Sequence, residues 1–257
     1  MQRERERGLT DEVQESIVRL VATSPAGHNL LLIGGFRYRF LDHSARTSRD
    51  IDYHWAGSLE EKQKELHALL ERRLLPSLKR DLDYDGQVES QCGPAADSPA
   101  VKAVIVALWK MGMPNSRVEI PVEITRVPTL DCTEIRTVHG AIYPTLSDAD
   151  QIESKVVAVF ARRVLQYRDL VDVFLFAGHL MHGSRERLAR KLVSAGITQD
   201  DVVRRLEDLD RHKDHHAKQV QMILDTQLDR DAAGNLNAAG GGLLVLEKVL
   251  ATLRANT

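Results

Sequence analysis

Residues 29–35, Asn-Leu-Leu-Leu-Ile-Gly-Gly, constrain the fold more than any other stretch. A fully apolar run stopped by two glycines reads as a short buried strand that ends in a tight turn. The residues that follow, 36–43, have a helical character, so the glycines sit at a strand-to-helix junction. Residues 49–55, Arg-Asp-Ile-Asp-Tyr-His-Trp, form a second strand candidate in which Asp50 and Asp52 flank Ile51. Alternate residues of a strand share a face, so the two carboxylates project together and Ile51 turns the other way.

The rest of the chain divides by periodicity. Residues 10–22 carry Val13, Ile17, Leu20 and Val21 at helical spacing behind a candidate cap, Thr10. Ser58 and Glu61 stand at capping-box spacing before a helix over 58–75. Three strand-like segments follow at 86–91, 101–109 and 117–125. Pro121 lies inside the last, which predicts an edge strand or a bulge. From Ser147 onward the pattern is helical almost throughout. Gly196 reads as a helix end, and residues 232–242 as helix ends with a flexible connection. This order predicts an α+β chain: residues 1–140 form an α/β domain and residues 141–257 a helical one.

Two carboxylates held close repel one another and raise each other's pKa unless a cation lies between them. A hard divalent ion such as Mg2+ takes oxygen ligands and keeps phosphates in its shell. Residues 117–125 offer a third acid for such a set, Glu123 first and Glu119 in reserve, which share a face by alternation. An exposed strand edge also carries acids at alternate positions, so Asp-Ile-Asp alone does not decide between metal and surface. The glycine pair adds weight, because backbone N–H groups at a helix start donate to phosphate oxygens where no Cβ intervenes.

Taken together, residues 32–52 resemble the first motif of the polymerase-beta-type nucleotidyltransferase superfamily: a glycine pair, a spacer, then Asp-x-Asp. Residues 45–52, Ala-Arg-Thr-Ser-Arg-Asp-Ile-Asp, with residues 153–176 far downstream, resemble more closely its AbiEii/AbiGii branch. That branch includes toxins of type IV toxin–antitoxin pairs and the related MenT-type toxins. The resemblance covers about residues 30–176 and rests on four short motifs in the same order. It implies a mixed sheet with flanking helices, followed by a helical region that contributes Lys155 and Asp169 to the cleft.

The resemblance also implies an activity: an NMP moves from an NTP to an acceptor hydroxyl with Mg2+ or Mn2+. The acceptor would be tRNA first and a protein hydroxyl next, and a separate antitoxin protein would be a partner. Asp50 and Asp52 match the metal-binding carboxylates, with Glu123 as the third ligand. Gly34, Gly35, Arg46, Ser48 and Lys155 match nucleotide-binding positions. Asp169 matches an acid needed for activity, and Asp172 is the second acid of its Arg-Asp-x-x-Asp element. Phe36 departs from the pattern, which has Ser or Thr there, and so leaves open a partner-binding protein that handles nucleotide poorly. A small-molecule transferase of the antibiotic-modifying kind shares the core motifs.

Other features are weaker. Lys155 borders the apolar stripe Ile152, Val156, Val159 and Phe160, where a lysine is also ordinary surface. His212, His215 and His216 lie near Asp214, a set that metal ligation would suit, but the run is charged all round and reads first as a solvated helix. The basic residues in 3–7 and 184–191 alternate with glutamate and read as salt-bridged surface. The net charge of −2 gives no global field for nucleic acid. Two cysteines, Cys92 and Cys132, exclude a disulfide framework or a four-cysteine zinc site. No apolar run approaches the roughly 20 residues of a membrane span, and the charged start is not a secretory signal. These features predict a soluble, cytoplasmic chain.

Overall fold

The computed structural model describes residues 2–92, 101–110, 113–180 and 183–257. The side chains of residues 3–7 and of Cys92 lie outside the described part. The elements, in chain order, are α1 (Gln2–Ala22), β1 (Leu31–Ile33), α2 (Gly34–Leu41), β2 (Ile51–His54), α3 (Leu59–Leu69), α4 (Leu75–Leu82), β3 (Tyr84–Cys92), β4 (Val101–Lys110), β5 (Met113–Thr125), β6 (Glu134–Val138) and β7 (Ala141–Thr145). The helices α5 (Asp148–Ala161), α6 (Tyr167–Phe176), α7 (Ser184–Ser194), α8 (Gln199–Arg211), α9 (Lys213–Gln227), α10 (Arg230–Ala239) and α11 (Gly241–Asn256) follow. Contacts divide the chain into two compact units. One holds residues 1–44, 48–126 and 133–145, and the other holds 45–47, 127–132 and 146–257.

The first unit is built on a mixed sheet. Among the described residues it has seven strands in the order β3-β4-β5-β2-β1-β7-β6. β2 pairs parallel with β5, and β1 pairs parallel with β7. The other neighbours are antiparallel. The apolar run of β4 is buried from Ala103 to Leu108, as an interior strand covered on both faces requires. Val13, Ile17 and Val21 of α1 join Leu32, Ile51, Val104, Val122 and Leu66 in one core.

Several expectations are corrected. α1 starts well before Thr10, since the Arg/Glu run ahead of it consists of good helix formers. Ser58 does cap α3, accepting from the Glu61 N–H at 3.3 Å. A wider π turn at Leu70–Leu74 then precedes α4, where Pro76 cannot donate the N–H of a continuous helix. β5 is an interior strand and not an edge. Pro121 is tolerated because pairing with β2 begins only at Val122, so its missing N–H breaks no bond there. β6 and β7 form a hairpin the sequence did not announce, turning through His139 and Gly140, both at positive φ.

The second unit is helical, with α5, α6, α9 and α11 packed around Val156, Leu170, Val220, Val249 and Leu253. Ser147 caps α5, accepting from the Asp150 N–H at 3.0 Å. Thr198 and Asp201 form a reciprocal capping box on α8. The stretch read as a flexible connection is largely the helix α10; its alanines outweigh Gly234. Residues 45–47 join this unit through a short antiparallel bridge. The Thr47 N–H donates to Gln227 O at 2.7 Å, and the Asp229 N–H to Ala45 O at 2.8 Å. No single helix among the described residues is long and apolar enough to cross a membrane.

Candidate active site

In the sheet unit the acids gather where β1 turns into α2. Ile51 is fully buried in the core, so Asp52 alternates to the opposite face, only partly covered. Asp50 lies one residue before the strand and is 8% exposed. The Ser48 hydroxyl donates to Asp50 Oδ1 at 2.5 Å, and Gln14 Nε2 of α1 donates to Ser48 O at 3.1 Å. Ser48 therefore acts on Asp50, and Gln14 acts on Ser48. Nothing in the residue pattern singles out Gln14, a lone amide on a helix.

Glu123 stands beside Asp52 in the parallel register of β5 and β2, a neighbour on the same face of the sheet. Glu119 lies farther along β5, opposite Ala107 of β4, and is exposed and paired with Arg117 at 2.8 Å. The register puts Glu123, the first choice, beside Asp52 and the reserve, Glu119, farther along the strand. His54 shares the Asp52 face. Burial pushes its imidazole below the ordinary value, and the Arg126 charge adds to that.

Gly34 makes the tightest approach in this region. Its φ is +77°, and a Cβ there would fall 2.0 Å from Asp52 Oδ2. The glycine is required twice, by backbone conformation and by the carboxylate lying over it. The result is a corner in which Asp52 lies directly against the α2 start with no side chain between them. Phe36 is not part of that corner. Its ring is 1% exposed, lies in the core and stacks on Phe40 at 5.7 Å. Arg37, also buried, ties α2 to the sheet by donating to Thr145 Oγ1 at 3.2 Å and pairing with Asp42.

The remaining motif residues belong to the helical unit and form a buried chain of charges. Arg46 Nε and Nη2 donate to the two oxygens of Asp172 at 2.5 and 3.0 Å. Lys155 Nζ lies 3.0 Å from both Asp172 Oδ2 and Asp169 Oδ1. Arg162 Nε closes the chain at 3.1 Å from Asp169 Oδ2. Burial pushes the Asp169 carboxyl up, but Lys155 and Arg162 more than reverse it and hold the group below the usual carboxylate range. Arg46 thereby anchors residues 45–47.

A second network forms where residues 184–191 are expected to be salt-bridged surface: the ion pairs are there, but Lys191 is buried. Arg187 and Lys191, one turn apart on α7, reach Asp150 and Glu153 of α5 at 2.6 to 2.9 Å, and Arg187 also binds Asp131. Asp150 further accepts the Leu130 and Asp131 N–H groups. The i, i+4 spacing of Arg187 and Lys191 against Leu188 and Leu192 was the available signal.

A family model described as nucleotidyl transferase AbiEii toxin, type IV TA system, matches residues 17–237. Among solved structures, MenT4, a nucleotidyltransferase toxin from Mycobacterium tuberculosis, aligns with a TM-score of 0.56 at 19% identity, covering 97% of this chain and 84% of that one. A Helicobacter pylori protein described as a nucleotidyltransferase aligns with a TM-score of 0.53 at 15% identity, over 96% and 92% of the two chains. These identities carry a likeness of fold. No curated protein sequence matches the chain. The family match takes in Gly34, the Asp-Ile-Asp strand, Lys155 and Asp169 together, and the chain belongs to the nucleotidyl transferase AbiEii toxin family of type IV toxin–antitoxin systems.

Proposed function

We propose that the chain moves an NMP from an NTP to an acceptor hydroxyl and releases pyrophosphate. The observation that carries this reading is the corner at Gly34, where Asp52 overlies a helix start and Glu123 stands beside it in register. The donors fit a hard divalent cation, Mg2+ or Mn2+, in kind: they are carboxylates, with Asp52 lying against the α2 start at Gly34 and Glu123 beside it in register. Asp50, Asp52 and Glu123 would hold it, and when bound it neutralises triphosphate charge and polarises the reacting oxygens.

The residues of the chain do the rest. Backbone N–H groups at Gly34 and Gly35 receive triphosphate oxygens. Ser48 fixes the Asp50 carboxylate. Glu123 accepts the proton of the acceptor hydroxyl as that oxygen bonds the α-phosphorus and the bond from it to the β-phosphate bridge breaks. Lys155 and Asp169 are assigned by their motif match, Lys155 to the phosphates and Asp169 to holding Lys155. Arg46, spent on Asp172, anchors the segment ahead of Ser48 in place of binding nucleotide itself.

Gly34→Ala tests the corner. The positive φ costs about 1–2 kcal/mol with a Cβ present, and Asp52 must move. A displacement near 1 Å costs about 100-fold in rate, so transfer falls at least that far; transfer kinetics with a melting curve on the same protein check it. Transfer within a factor of two of the unmodified chain would remove Gly34 from the site.

By family the chain is a growth-inhibiting toxin, and we place its action in the cytoplasm, restrained by a separately encoded antitoxin. We take tRNA as the acceptor and a protein hydroxyl as next in order. Each α-labelled NTP is offered in turn with Mg2+, total tRNA and total cell protein. Label on tRNA is the expected result; label on protein alone reassigns the acceptor, and no label from any NTP contradicts the proposed transfer.

A further inference from the structure

The turn between α8 and α9 holds a group of metal-ligating side chains that the transfer reaction does not use. Asp208, His212 and His216 follow one another at four-residue spacing, and the helix breaks at His212, with φ −107° and ψ 33°. The break keeps all three on one side. Asp208 Oδ1 lies 3.0 Å from His212 Nδ1, and Asp208 Oδ2 lies 3.4 Å from His216 Nε2. One ligand atom from each residue lies within 4.8 Å of the others. Ligands at 2.0–2.1 Å around a tetrahedral zinc ion stand about 3.3 Å apart, so the spacing matches a coordination shell.

His216 supplies an independent observation. It is 6% exposed, and its Nε2 is buried and makes no hydrogen bond. Its other nitrogen, Nδ1, lies 3.1 Å from the Tyr167 hydroxyl. With Nδ1–H donated to that oxygen, the Nε2 lone pair points toward Asp208 and His212. A metal-binding histidine is oriented in this way, its second nitrogen fixed by an outer partner. A carboxylate–imidazole pair accounts for Asp208 and His212; at 3.4 Å Asp208 Oδ2 makes no aligned hydrogen bond to the buried His216 Nε2.

We propose that Asp208, His212 and His216 bind one zinc-type divalent ion through two imidazoles and a carboxylate. Asp208 and His212 are about half exposed, so water completes the shell. The site staples α8 to α9. Through Tyr167 it also bears on the first residue of α6, two positions before Asp169.

The test uses untagged full-length chain freed of metal with a chelator. Zn2+ is titrated against a competing chromophoric chelator, and Co2+ is added separately for its visible spectrum. The expected results are one high-affinity Zn2+ per chain, a tetrahedral Co2+ spectrum and a melting temperature raised by Zn2+. His212→Ala and Asp208→Asn, both at exposed positions, weaken that binding at least about 100-fold and leave the metal-free melting temperature unchanged. Asp52→Asn retains it. Absence of Zn2+ binding, equal affinity in His212→Ala and Asp208→Asn, or loss of the ion in Asp52→Asn overturns the assignment.

Discussion

Asp52→Asn lowers nucleotide transfer about 1,000-fold, while its melting temperature stays within about 2 °C of the unmodified chain's. The change keeps the shape of the side chain and removes its charge. Asp52 is only partly covered and its neighbours on the strand, Ile51 and Tyr53, carry the packing, so the fold does not depend on its ionisation. The loss corresponds to about 4 kcal/mol of transition-state stabilisation, the size expected when a charge that positions and neutralises phosphate is withdrawn. Glu123→Gln behaves alike. Glu119→Gln, exposed and paired only at the surface with Arg117, leaves transfer unchanged. Transfer rates and melting curves on the three variants check the whole set, and a Glu119→Gln loss with Glu123→Gln intact would reverse the choice of third acid.

Asp172→Ala destabilises the helical unit by about 3–5 kcal/mol. Asp172 is fully buried and answers two cations, Arg46 and Lys155. Without it both lie in a low-dielectric interior, with Asp169 left to balance Lys155 and Arg162. The cost comes chiefly from Arg46, which is 2% exposed and loses its carboxylate partner while keeping the neutral Thr47 carbonyl and Gln227 amide oxygens. Removing both partners at once, as Arg46→Met with Asp172→Leu, recovers a large part of the loss, since a buried pair replaced by apolar groups of similar volume is near neutral. Thermal or denaturant melting distinguishes the two. A single variant that melts with the unmodified chain would mean that the network is solvated.

The corner at Gly34 in the sheet unit was legible because its signals are local. An apolar run, a glycine pair and alternating acids each dictate backbone or side-chain direction within a few residues, and β1, the turn at Gly34 and the strand β2 form as expected. Register was not legible. The choice between Glu119 and Glu123 depends on which residue of β5 faces Asp52, and pairing between strands some seventy residues apart leaves no mark at either position. Partners were hidden for the same reason. Arg46 meets Asp172 from far along the chain and the Phe36 ring turns into the core, and neither position announces it. The hairpin β6–β7 escaped because Ile135 and Ile142 are exposed and Pro144 interrupts the strand pattern. The histidine run at 211–218 read as solvent-facing because Asp208, its carboxylate, lies on the preceding helix and not at Asp214.

The central claim is the transfer of a nucleotidyl group, and the most direct measurement follows two labels through one reaction. The chain is given tRNA, Mg2+ and the same NTP labelled at the α-phosphate in one sample and at the γ-phosphate in the other. The account predicts that α-label becomes covalently attached to the acceptor and that γ-label appears in pyrophosphate, in equal amounts. Covalent γ-label, or γ-label released as inorganic phosphate with no α-label attached, would contradict it.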